Sequence, residues 1–493
     1  MDSTIGYIKK KMKDEISPEF NRIYDGYWAH ILRSDEIFNL AKEGMFNPEL
    51  NDSPETPNGR RTPEDDIVRQ LYGANKDALE EAIENGEKDE DKLLDIISNW
   101  KTVYNKGDYP KFTFLGLRTT TDCNLTRRCV YCDQKRYQNK IPFSKWDEVV
   151  KEVTEDGKRK AIYMGISGGE PLMDGELLYG KDGLIKKAAE SGGVVNLNSN
   201  AHLITPQVAI NLIGSGLAKL HVSLDAPDKN THNNLEGQGS FQRVMEGLYC
   251  VQLAKAAIGT KYPVLHINTV ATKNNLLMFD KLLEFLLQRR RVADDYSKGD
   301  THTNPDLRDL APHLIPLGGA RNNDLMPTKE DWMKFIKDVW PNASNIWEKF
   351  QDQSNISSDK RTTLQEICFF ANPFTRVDFN APIEEIIDDF SQGQYSSHAL
   401  VKKCYSAPTQ AYILPNGDVF PCGSVSDNTD SQPLGNINEK SLKEIIHDNI
   451  DDLMSNFGNN CSSCKRCYGS TLAINQHIET GLREKIKNTL NSI

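Results

Sequence analysis

The sequence lacks the features of a membrane protein or of a nucleic-acid-binding protein. It contains no run of about 18 apolar residues, so we expect no transmembrane helix. The first residues, MDSTIGYIKKKMKDE, have no apolar segment of the kind found in signal peptides. Basic residues form no long run, and the 59 Lys and Arg are outnumbered by 70 Asp and Glu, which gives a net charge of −11. We therefore expect a cytoplasmic protein with neither a membrane nor a nucleic acid as partner.

Cysteine is absent before Cys123, and the ten cysteines of the chain are unevenly spaced. A first group consists of Cys123, Cys129 and Cys132, and a second of Cys404, Cys422, Cys461, Cys464 and Cys467. Grouped cysteines in a chain without secretory features are more typical of metal ligands than of disulfides. Cys250 and Cys368 lie alone in apolar or mixed segments, and we expect them to be buried packing residues.

The length of 493 residues corresponds to about three domains, and a hydrophobic content of 38% is sufficient for a globular chain. Residues 1–108 are predicted to form a helical extension of unknown role. Within it, the Pro and Gly content of 53–63 indicates a linker, and 78–100 is predicted to be a charged helix.

Residues 109–320 alternate short apolar runs with amphipathic segments, a pattern typical of βαβ units and a parallel sheet. The predicted strands are 112–117, 161–166, 194–197, 220–224, 264–270 and 313–317. The predicted helices lie near 144–155, 181–191, 206–215, 240–257 and 275–288. We therefore predict an α/β protein built on a partial (β/α)6 TIM-type barrel, with functional residues at the carboxyl ends of the strands.

Two smaller regions are predicted to follow the barrel. Residues 321–400 are predicted to be a helical linker or insertion, with a helix at 328–350 that breaks at Pro341. Residues 401–493 are predicted to form a small cysteine-rich cluster domain. It contains a hairpin, 411–414 and 418–420, around the turn Pro415-Asn416-Gly417, and a helix at 441–454.

The first cysteine group lies in the segment TTTDCNLTRRCVYCDQ, directly after the first predicted strand. Three thiolates can bind three irons of a [4Fe–4S] cluster and leave the fourth iron open to a small molecule. An open metal position is typical of catalytic sites, whereas structural metal sites are closed. A zinc site, or a redox pair formed by Cys129 and Cys132, is the alternative interpretation.

Five further segments occur downstream of this loop. They are Ser167-Gly168-Gly169-Glu170-Pro171, Asn196-Leu197-Asn198-Ser199-Asn200, Ser223-Leu224-Asp225, His232 and Gly239-Ser240-Phe241. Together with Cys129-Val130-Tyr131-Cys132, this series resembles the radical SAM superfamily over about residues 109–318. Taken alone, the first segment is also consistent with an ordinary strand-to-helix turn, and the third with a helix cap.

The resemblance implies that a [4Fe–4S] cluster held by Cys123, Cys129 and Cys132 binds S-adenosyl-L-methionine (SAM) at its open iron. It also implies reductive cleavage of SAM to a 5′-deoxyadenosyl radical, which abstracts a hydrogen atom from the substrate. The Glu170 carboxylate would accept a hydrogen bond from the SAM ammonium group, and Tyr131 would lie near the adenine. The other residues implied to contact SAM are Gly168, Gly169, Asn198, Ser199, Asn200, Ser223 and Asp225.

Two features depart from the family pattern. Cys123 and Cys129 are separated by five residues instead of the usual three, although no other cysteine precedes Cys129. Arg127 and Arg128 in this loop could raise the potential of an anionic cluster or be solvated loop charges. Many relatives have Arg-Gly where this chain has Glu236-Gly237, so the sequence lacks the arginine contact of those relatives.

The second cysteine group begins as Cys404-x12-Gly417-x4-Cys422 and ends as Cys461-x2-Cys464-x2-Cys467. This pattern resembles the SPASM/Twitch extensions of radical SAM enzymes, which bind auxiliary iron–sulfur clusters. Five cysteines suffice for one auxiliary [4Fe–4S] cluster with four protein ligands, so the resemblance implies Cys404, Cys422 and two of the last three. A structural zinc ribbon is the alternative.

The resemblance implies an oxidoreductase or maturase that crosslinks, matures or dehydrogenates a peptide, with a low-potential electron donor such as flavodoxin or ferredoxin. Dehydrogenation or epimerisation of a carbohydrate-like small molecule is the alternative activity. A non-enzymatic iron–sulfur electron carrier or scaffold is a third hypothesis. Asp225, His232 and Glu236 are candidate bases, but the sequence does not assign a catalytic acid or base.

Overall fold

Nine strands form one sheet in the part of the chain that the computed structural model describes. The described residues are 63–109, 111–132, 134, 136–137, 139–155, 162–258, 260, 262–297, 309–317, 324–354, 356, 358, 361–368, 381–395, 401, 403–426, 431–454 and 469–493. The strands are β1 Phe114–Thr120, β2 Ile162–Gly168, β3 Gly193–Ser199, β4 Lys219–Ser223, β5 Val264–Ala271, β6 Ala311–Pro316, β7 Gln410–Ile413, β8 Asp418–Phe420 and β9 Gly435–Asn436. Their order in the sheet is β6-β5-β4-β3-β2-β1-β7-β8-β9.

Helices precede, connect and follow the strands, and those between successive parallel strands cover the outer face of the sheet. They are α1 Pro63–Glu84, α2 Glu90–Ile97, α3 Trp100–Asn105, α4 Phe143–Val153, α5 Gly175–Tyr179, α6 Leu184–Glu190, α7 Pro206–Gly214, α8 Lys229–Glu236, α9 Ser240–Ile258, α10 Phe279–Ser297, α11 Lys329–Lys334, α12 Trp340–Gln353, α13 Leu364–Ile367, α14 Ile383–Ser391, α15 Gly423–Ser426, α16 Leu442–Asp448, α17 Ile450–Asp452 and α18 Gly469–Leu490. Local sequence explains several of their starts. Thr205 caps α7 ahead of Pro206, and Asp228 caps α8 with its carboxylate.

Strands β1 to β6 are parallel throughout, and each is followed by at least one helix before the next strand begins. Alternate side chains on these strands face the helices and form the main hydrophobic core, as Leu197, Leu220 and Val222 do. The intervening side chains face the interior of the curved sheet and are largely polar. The predicted α/β fold with a partial parallel barrel is confirmed.

The predicted hairpin is also confirmed, but its place in the sheet was not anticipated. β7 and β8 pair in antiparallel register around Gly417, whose φ of 93° suits glycine. β7 also pairs with β1 in parallel register, with Phe114 opposite Gln410. A six-stranded partial barrel leaves the backbone groups of β1 unpaired on one side, and β7 satisfies them.

Two predicted helices differ from the structure. Residues 78–100 do not form one helix: α1 ends at Glu84, the chain turns through Gly86, and α2 begins after the Asp89 cap. Residues 328–350 do not break at Pro341, because a π-helical segment, Phe335–Val339, lets the chain continue into α12. Pro341 lies in the first turn of α12, a position at which the missing N–H of proline is tolerated.

The N-terminal and C-terminal helices share a hydrophobic core that is separate from the barrel core. It contains Ile67 and Leu71 of α1 together with Ile478 and Leu482 of α18. The Trp100 indole N–H donates to the carbonyl oxygen of Tyr405 (3.2 Å), which ties α3 to the chain just before β7. The helical extension therefore packs on the cysteine-bearing C-terminal region.

Cys250 and Cys368 are both buried, as predicted. The predicted linker at 53–63 lies outside the described residues except for Pro63, which begins α1. Among the helices that the structure describes, none combines the length and the apolar character needed to cross a membrane.

Gly481→Ala is expected to destabilise the protein, because Gly481 permits close contact between α18 and α1. An added Cβ would lie 2.8 Å from Cγ2 of Val68, which is closer than carbon atoms pack. We expect the free energy of unfolding to fall by about 1 kcal/mol, since overpacking outweighs the helix propensity that alanine adds. Thermal and urea unfolding measure this change.

Gly214→Ala, at the end of α7, is the matched control. An added Cβ there meets nothing within 4 Å, so we expect an unchanged or raised free energy of unfolding. Equal effects of the two substitutions would contradict the close helix contact.

Candidate functional site

The loop after β1 is held against the end of β2 by backbone hydrogen bonds. Gly169 donates its N–H to the carbonyl oxygen of Thr120 (2.9 Å), and Glu170 donates to that of Asp122 (2.7 Å). A Cβ at position 169 would overlap the Asp122 carbonyl group, so only glycine allows this approach. The first cysteine segment and the Gly-Gly-Glu segment are therefore adjacent, at the carboxyl ends of neighbouring parallel strands.

Cys123, Cys129 and Cys132 are free, half-buried thiols in this loop. The loop is anchored by the N–H of Val130, which donates to the carbonyl oxygen of Leu235 in α8 (2.9 Å). Burial raises the pKa of the Cys123 and Cys129 thiols, and nearby carboxylates and the Cys132 thiol raise it further. Cys132 thus lies close enough to Cys123 and Cys129 to affect the pKa of both thiols.

Glu170 is fully buried at the end of β2, and its carboxylate accepts hydrogen bonds from three groups. Oε1 accepts from the Leu172 N–H (3.0 Å) and the Ser199 hydroxyl (2.9 Å), and Oε2 accepts from the Asn200 N–H (2.7 Å). Burial raises the pKa of Glu170 to about 7, and these hydrogen bonds oppose the shift. Since each carboxylate oxygen can accept two hydrogen bonds, Oε2 retains capacity for one further donor.

Asn200 connects this carboxylate to the first cysteine group. Besides its backbone contact with Glu170, its side-chain amide donates to Oδ1 of Asn124 (2.8 Å) and lies 3.9 Å from Sγ of Cys123. The ends of β2 and β3 and the loop after β1 are therefore joined through one residue, by its backbone N–H and its side chain.

Asn198 and Ser223, at the ends of β3 and β4, both adjoin Asn268 of β5. The side-chain amide of Asn268 donates to Oδ1 of Asn198 (3.1 Å), and Ser223 lies in register with Asn268. Both predicted SAM contacts are half-buried on the inner side of the barrel.

Tyr131 contacts two carboxyl groups at once. Its hydroxyl lies 2.6 Å from Oδ2 of Asp225 and 3.0 Å from Oε1 of Glu236. A phenol has one proton, so if it donates to Asp225, Glu236 must be protonated to donate to the phenol oxygen. Burial, and after it the charge of Asp225, raises the pKa of Glu236 well above its usual range, which favours that protonated form.

A chain of hydrogen bonds continues from this pair. The hydroxyl of Ser240 donates to Oε2 of Glu236 (3.2 Å), and Nε2 of His232 lies 3.1 Å from the same hydroxyl. Nδ1 of His232 accepts from the backbone N–H of Asp225 (3.1 Å), and burial lowers the pKa of His232 to about 3. The candidate bases Asp225, His232 and Glu236 thus belong to one buried network.

Cys404 and Cys422 precede β7 and follow β8, respectively, and both are half-buried. Sγ of Cys404 lies 3.6 Å from the side-chain amide of Asn475, a fully buried residue of α18. Oδ1 of Asn475 also accepts from the Ser406 N–H (2.9 Å). An isolated asparagine in a helical segment carries no sequence signal of a contact 71 residues away, so Asn475 is not among the predicted site residues. Cys461, Cys464 and Cys467 lie outside the described residues.

Comparison with known families gives two matches. Residues 117–286 match the model of the radical SAM superfamily, and residues 404–468 match the SPASM iron–sulfur cluster-binding domain. Among curated proteins, the AdoMet-dependent heme synthase of Methanosarcina barkeri is 26% identical over 335 residues, which cover 66% of this chain and 79% of that protein. GTP 3′,8-cyclase of Petrotoga mobilis is 28% identical over 167 residues, which cover 32% of this chain and 47% of that protein.

Solved structures are similar to this chain at lower sequence identity than these curated proteins. Streptococcus suis SuiB bound to S-adenosylmethionine has 16% sequence identity and a TM-score of 0.44, with 77% of each chain covered. anSMEcpe with bound AdoMet and the Cp18Cys peptide has 16% identity and a TM-score of 0.42, covering 78% of this chain and 100% of that one.

Gly169→Ala is expected to displace the loop after β1, because the added methyl group would meet the backbone of Asp122. We expect a substantial loss of iron and sulfide after anaerobic reconstitution, with the fold retained by circular dichroism. Gly73→Ala in α1 is the control, since a Cβ there meets nothing within 4 Å. Iron content equal to that of the parent protein would show that the loop tolerates the change.

Tyr131→Phe is expected to destabilise the barrel, because it leaves the buried carboxyl groups of Asp225 and Glu236 without their shared hydroxyl. The cost of an unsatisfied buried polar group is about 1–3 kcal/mol, and unfolding experiments at neutral pH measure it. Tyr104→Phe is the matched control, since the buried Tyr104 hydroxyl has no hydrogen-bond partner among the described residues. If both substitutions cost the same, the Tyr131 hydroxyl does not stabilise the pair.

Proposed function

Because this chain belongs to the radical SAM superfamily and carries a C-terminal SPASM iron–sulfur domain, we propose that it oxidatively modifies a peptide at the carboxyl edge of its barrel. A [4Fe–4S] cluster and SAM are the cofactors of this superfamily. When bound, they supply one-electron cleavage of SAM and hydrogen-atom abstraction. As the chain is a radical SAM enzyme, the hypothesis of a non-enzymatic carrier or scaffold is not retained.

Cys123, Cys129 and Cys132 are the proposed ligands of the SAM-binding cluster. Three observations support this assignment: the thiols are free, the Cys132 thiol raises the pKa of the other two, and their loop is bonded to the end of β2 and to α8. The donor set fits a cluster with three protein ligands and one open iron. The five-residue spacing between Cys123 and Cys129 is compatible with this assignment, because the whole loop is anchored on both sides.

The observation that carries the proposal is the chain of contacts from Glu170 through Asn200 to Cys123. It brings the proposed acceptor of the SAM ammonium group close to a proposed cluster ligand. Oε2 of Glu170 has the acceptor capacity for one more hydrogen bond, as a bound ammonium group requires. The other proposed SAM contacts are Tyr131, Gly168, Gly169, Asn198, Ser199, Ser223 and Asp225.

For the C-terminal region we propose one auxiliary [4Fe–4S] cluster, with Cys404, Cys422 and two of Cys461, Cys464 and Cys467 as ligands. The antiparallel return of β8 supports a common site, because it brings Cys422 back toward the end of the hairpin that Cys404 precedes. We also propose the division into regions 1–108, 109–320, 321–400 and 401–493. In this division, α1 to α3 cover the cluster domain through the core that they share with α18.

A peptide substrate is favoured by the SPASM region, since the resemblance implies peptide or protein modification for enzymes with such extensions. The match to an AdoMet-dependent heme synthase over 66% of the chain favours the alternative, a small-molecule substrate. We further propose a flavodoxin-like or ferredoxin-like electron donor in a reducing cytoplasm.

Glu170→Ala is expected to weaken SAM binding while iron content remains that of the parent protein. Loss of a charge-assisted hydrogen bond should raise the dissociation constant on the order of tenfold or more, measured by equilibrium binding to the reconstituted protein. Glu190→Ala, at an exposed position in α6, is the control. Unchanged SAM affinity, or loss of iron, would refute the assigned role.

The substrate class is tested by mass spectrometry of short peptides encoded next to this gene and co-expressed with the enzyme. A peptide that loses hydrogen mass with the parent enzyme, but not with the Cys129→Ala variant, supports the proposal. If no neighbouring peptide changes mass, the small-molecule alternative is favoured.

An iron, sulfide and zinc inventory tests the auxiliary cluster. About eight iron and eight sulfide per chain are expected for two cubane clusters. About four iron with zinc bound through sulfur would make the C-terminal site structural.

A further inference from the structure

Three histidines from three neighbouring strands meet inside the barrel. His221 of β4 is in register with His266 of β5, and His313 of β6 is in register with Asn268, two residues beyond His266. One ring nitrogen from each histidine lies within 4.8 Å of those of the other two. The ring centroids are 4.8 Å apart for His221 and His266, 4.4 Å for His266 and His313, and 5.7 Å for His221 and His313.

The alternation of side chains along the strands places these rings on the inner face. Leu220 and Val222, on either side of His221, belong to the hydrophobic core beneath the helices. His221 therefore points to the opposite side, as do His266 and His313 on the next two strands. His266 is 1% exposed and His313 is 2% exposed, so these two rings are removed from bulk water.

The ring of His266 is buried without hydrogen-bond partners. Neither Nδ1 nor Nε2 has a partner among the described residues. A neutral imidazole carries one N–H donor and one lone pair, and both are desolvated here without compensation. A ligand bound to the lone pair would remove part of that cost, and each neighbouring histidine places one ring nitrogen within 4.8 Å of a ring nitrogen of His266.

The hydrogen bonds of His221 leave one of its nitrogens available. The amide nitrogen of Asn268 donates to Asn198, so the carbonyl oxygen of Asn268 faces Nδ1 of His221 at 3.3 Å. Nδ1 therefore carries the proton and donates, which leaves the lone pair on Nε2. A metal-bound histidine commonly shows this arrangement, with its second nitrogen donating to a carbonyl or carboxylate oxygen.

Burial keeps the rings of His221 and His266 neutral, which is the form that binds metals. Burial, and after it the charge of Lys219, lowers the pKa of His221 to about 4. Burial and the other two histidines lower the pKa of His266 well below its usual value. Neutral imidazole is a ligand for zinc and for other divalent transition metals.

A second buried cluster of potential metal ligands differs, because its ligand atoms have hydrogen-bond partners in the protein. Asp225, His232 and Glu236 also have ligand atoms within 4.8 Å of one another. Their oxygen and nitrogen atoms, however, are bonded to Tyr131, Ser240 and backbone groups. That cluster is satisfied by the protein itself, whereas His266 is not.

We propose that His221, His266 and His313 bind a divalent transition-metal ion of the zinc type inside the barrel. Three imidazole ligands leave a fourth coordination position open, as in catalytic zinc sites. His313 and Ser223 both lie in register with Asn268, so the ion lies within one layer of side chains of the proposed SAM site. The open position would take water or an oxygen or nitrogen atom of the substrate and so anchor the substrate in the barrel.

Zinc content and zinc-edge X-ray absorption test this proposal. The full-length protein is first reconstituted with iron and sulfide, so that its cysteines are occupied, and is then incubated with zinc and desalted. We expect about one zinc per chain and a coordination shell of nitrogen or oxygen at about 2.0–2.1 Å. A sulfur shell at about 2.3 Å would assign the zinc to cysteines and overturn the proposal.

Variants provide the second measurement. His266→Phe and His313→Phe keep a ring in the barrel but remove a ligand, and each should lose the bound zinc while iron and sulfide remain unchanged. His447→Phe is the matched control, because His447 is an exposed histidine packed against Tyr104. Zinc retained by His266→Phe, or no zinc bound by the parent protein, would overturn the proposal. Iron content tests the proposed cluster ligands separately, because zinc binding by the three histidines does not depend on those ligands.

Discussion

Parallel pairing of β1 to β6 is the constraint on which the candidate site depends. In a parallel sheet the carboxyl ends of all strands lie at one edge, so residues far apart in sequence become neighbours there. The backbone bonds from Gly169 and Glu170 to the loop after β1 extend this pairing beyond the strands. Because Gly169 has no side chain, the cysteine loop and the Gly-Gly-Glu segment approach to hydrogen-bonding distance.

Buried acidic groups are the second organising feature of this edge. Glu170 is stabilised by three donors, whereas Asp225 and Glu236 share the single hydroxyl of Tyr131. Burial raises the pKa of all three carboxyl groups. A glutamate at position 236 is compatible with the fold because its neighbours include the hydroxyls of Tyr131 and Ser240, with which a protonated carboxyl group can form hydrogen bonds.

Strand β1 also relates the two cysteine groups to each other. Cys123 follows its carboxyl end, and β7 lies beside it in parallel register. Because β7 is parallel to β1 and β8 runs back, Cys404 and Cys422 lie toward the amino ends of β1 and β7. The proposed auxiliary site and the proposed SAM site are thus separated along β1, and the shared core of α1 and α18 covers the C-terminal region.

Local patterns in the sequence were sufficient to predict the six parallel strands, the hairpin at Gly417, the first cysteine loop and the segments at the strand ends. Each of these depends on periodicity, turn residues or short-range spacing, which neighbouring residues determine. The sequence did not predict the pairing of β7 with β1, the separation of α1 from α2, the contact of Asn475 with Cys404, or the meeting of three histidines. These features depend on strand register and helix packing, which bring distant residues together. Tyr131 and Glu236, for example, are 105 positions apart in the sequence and in contact in the structure. A histidine at one inward position of a strand has no distinctive local pattern, and only the register of β4, β5 and β6 places the three rings together.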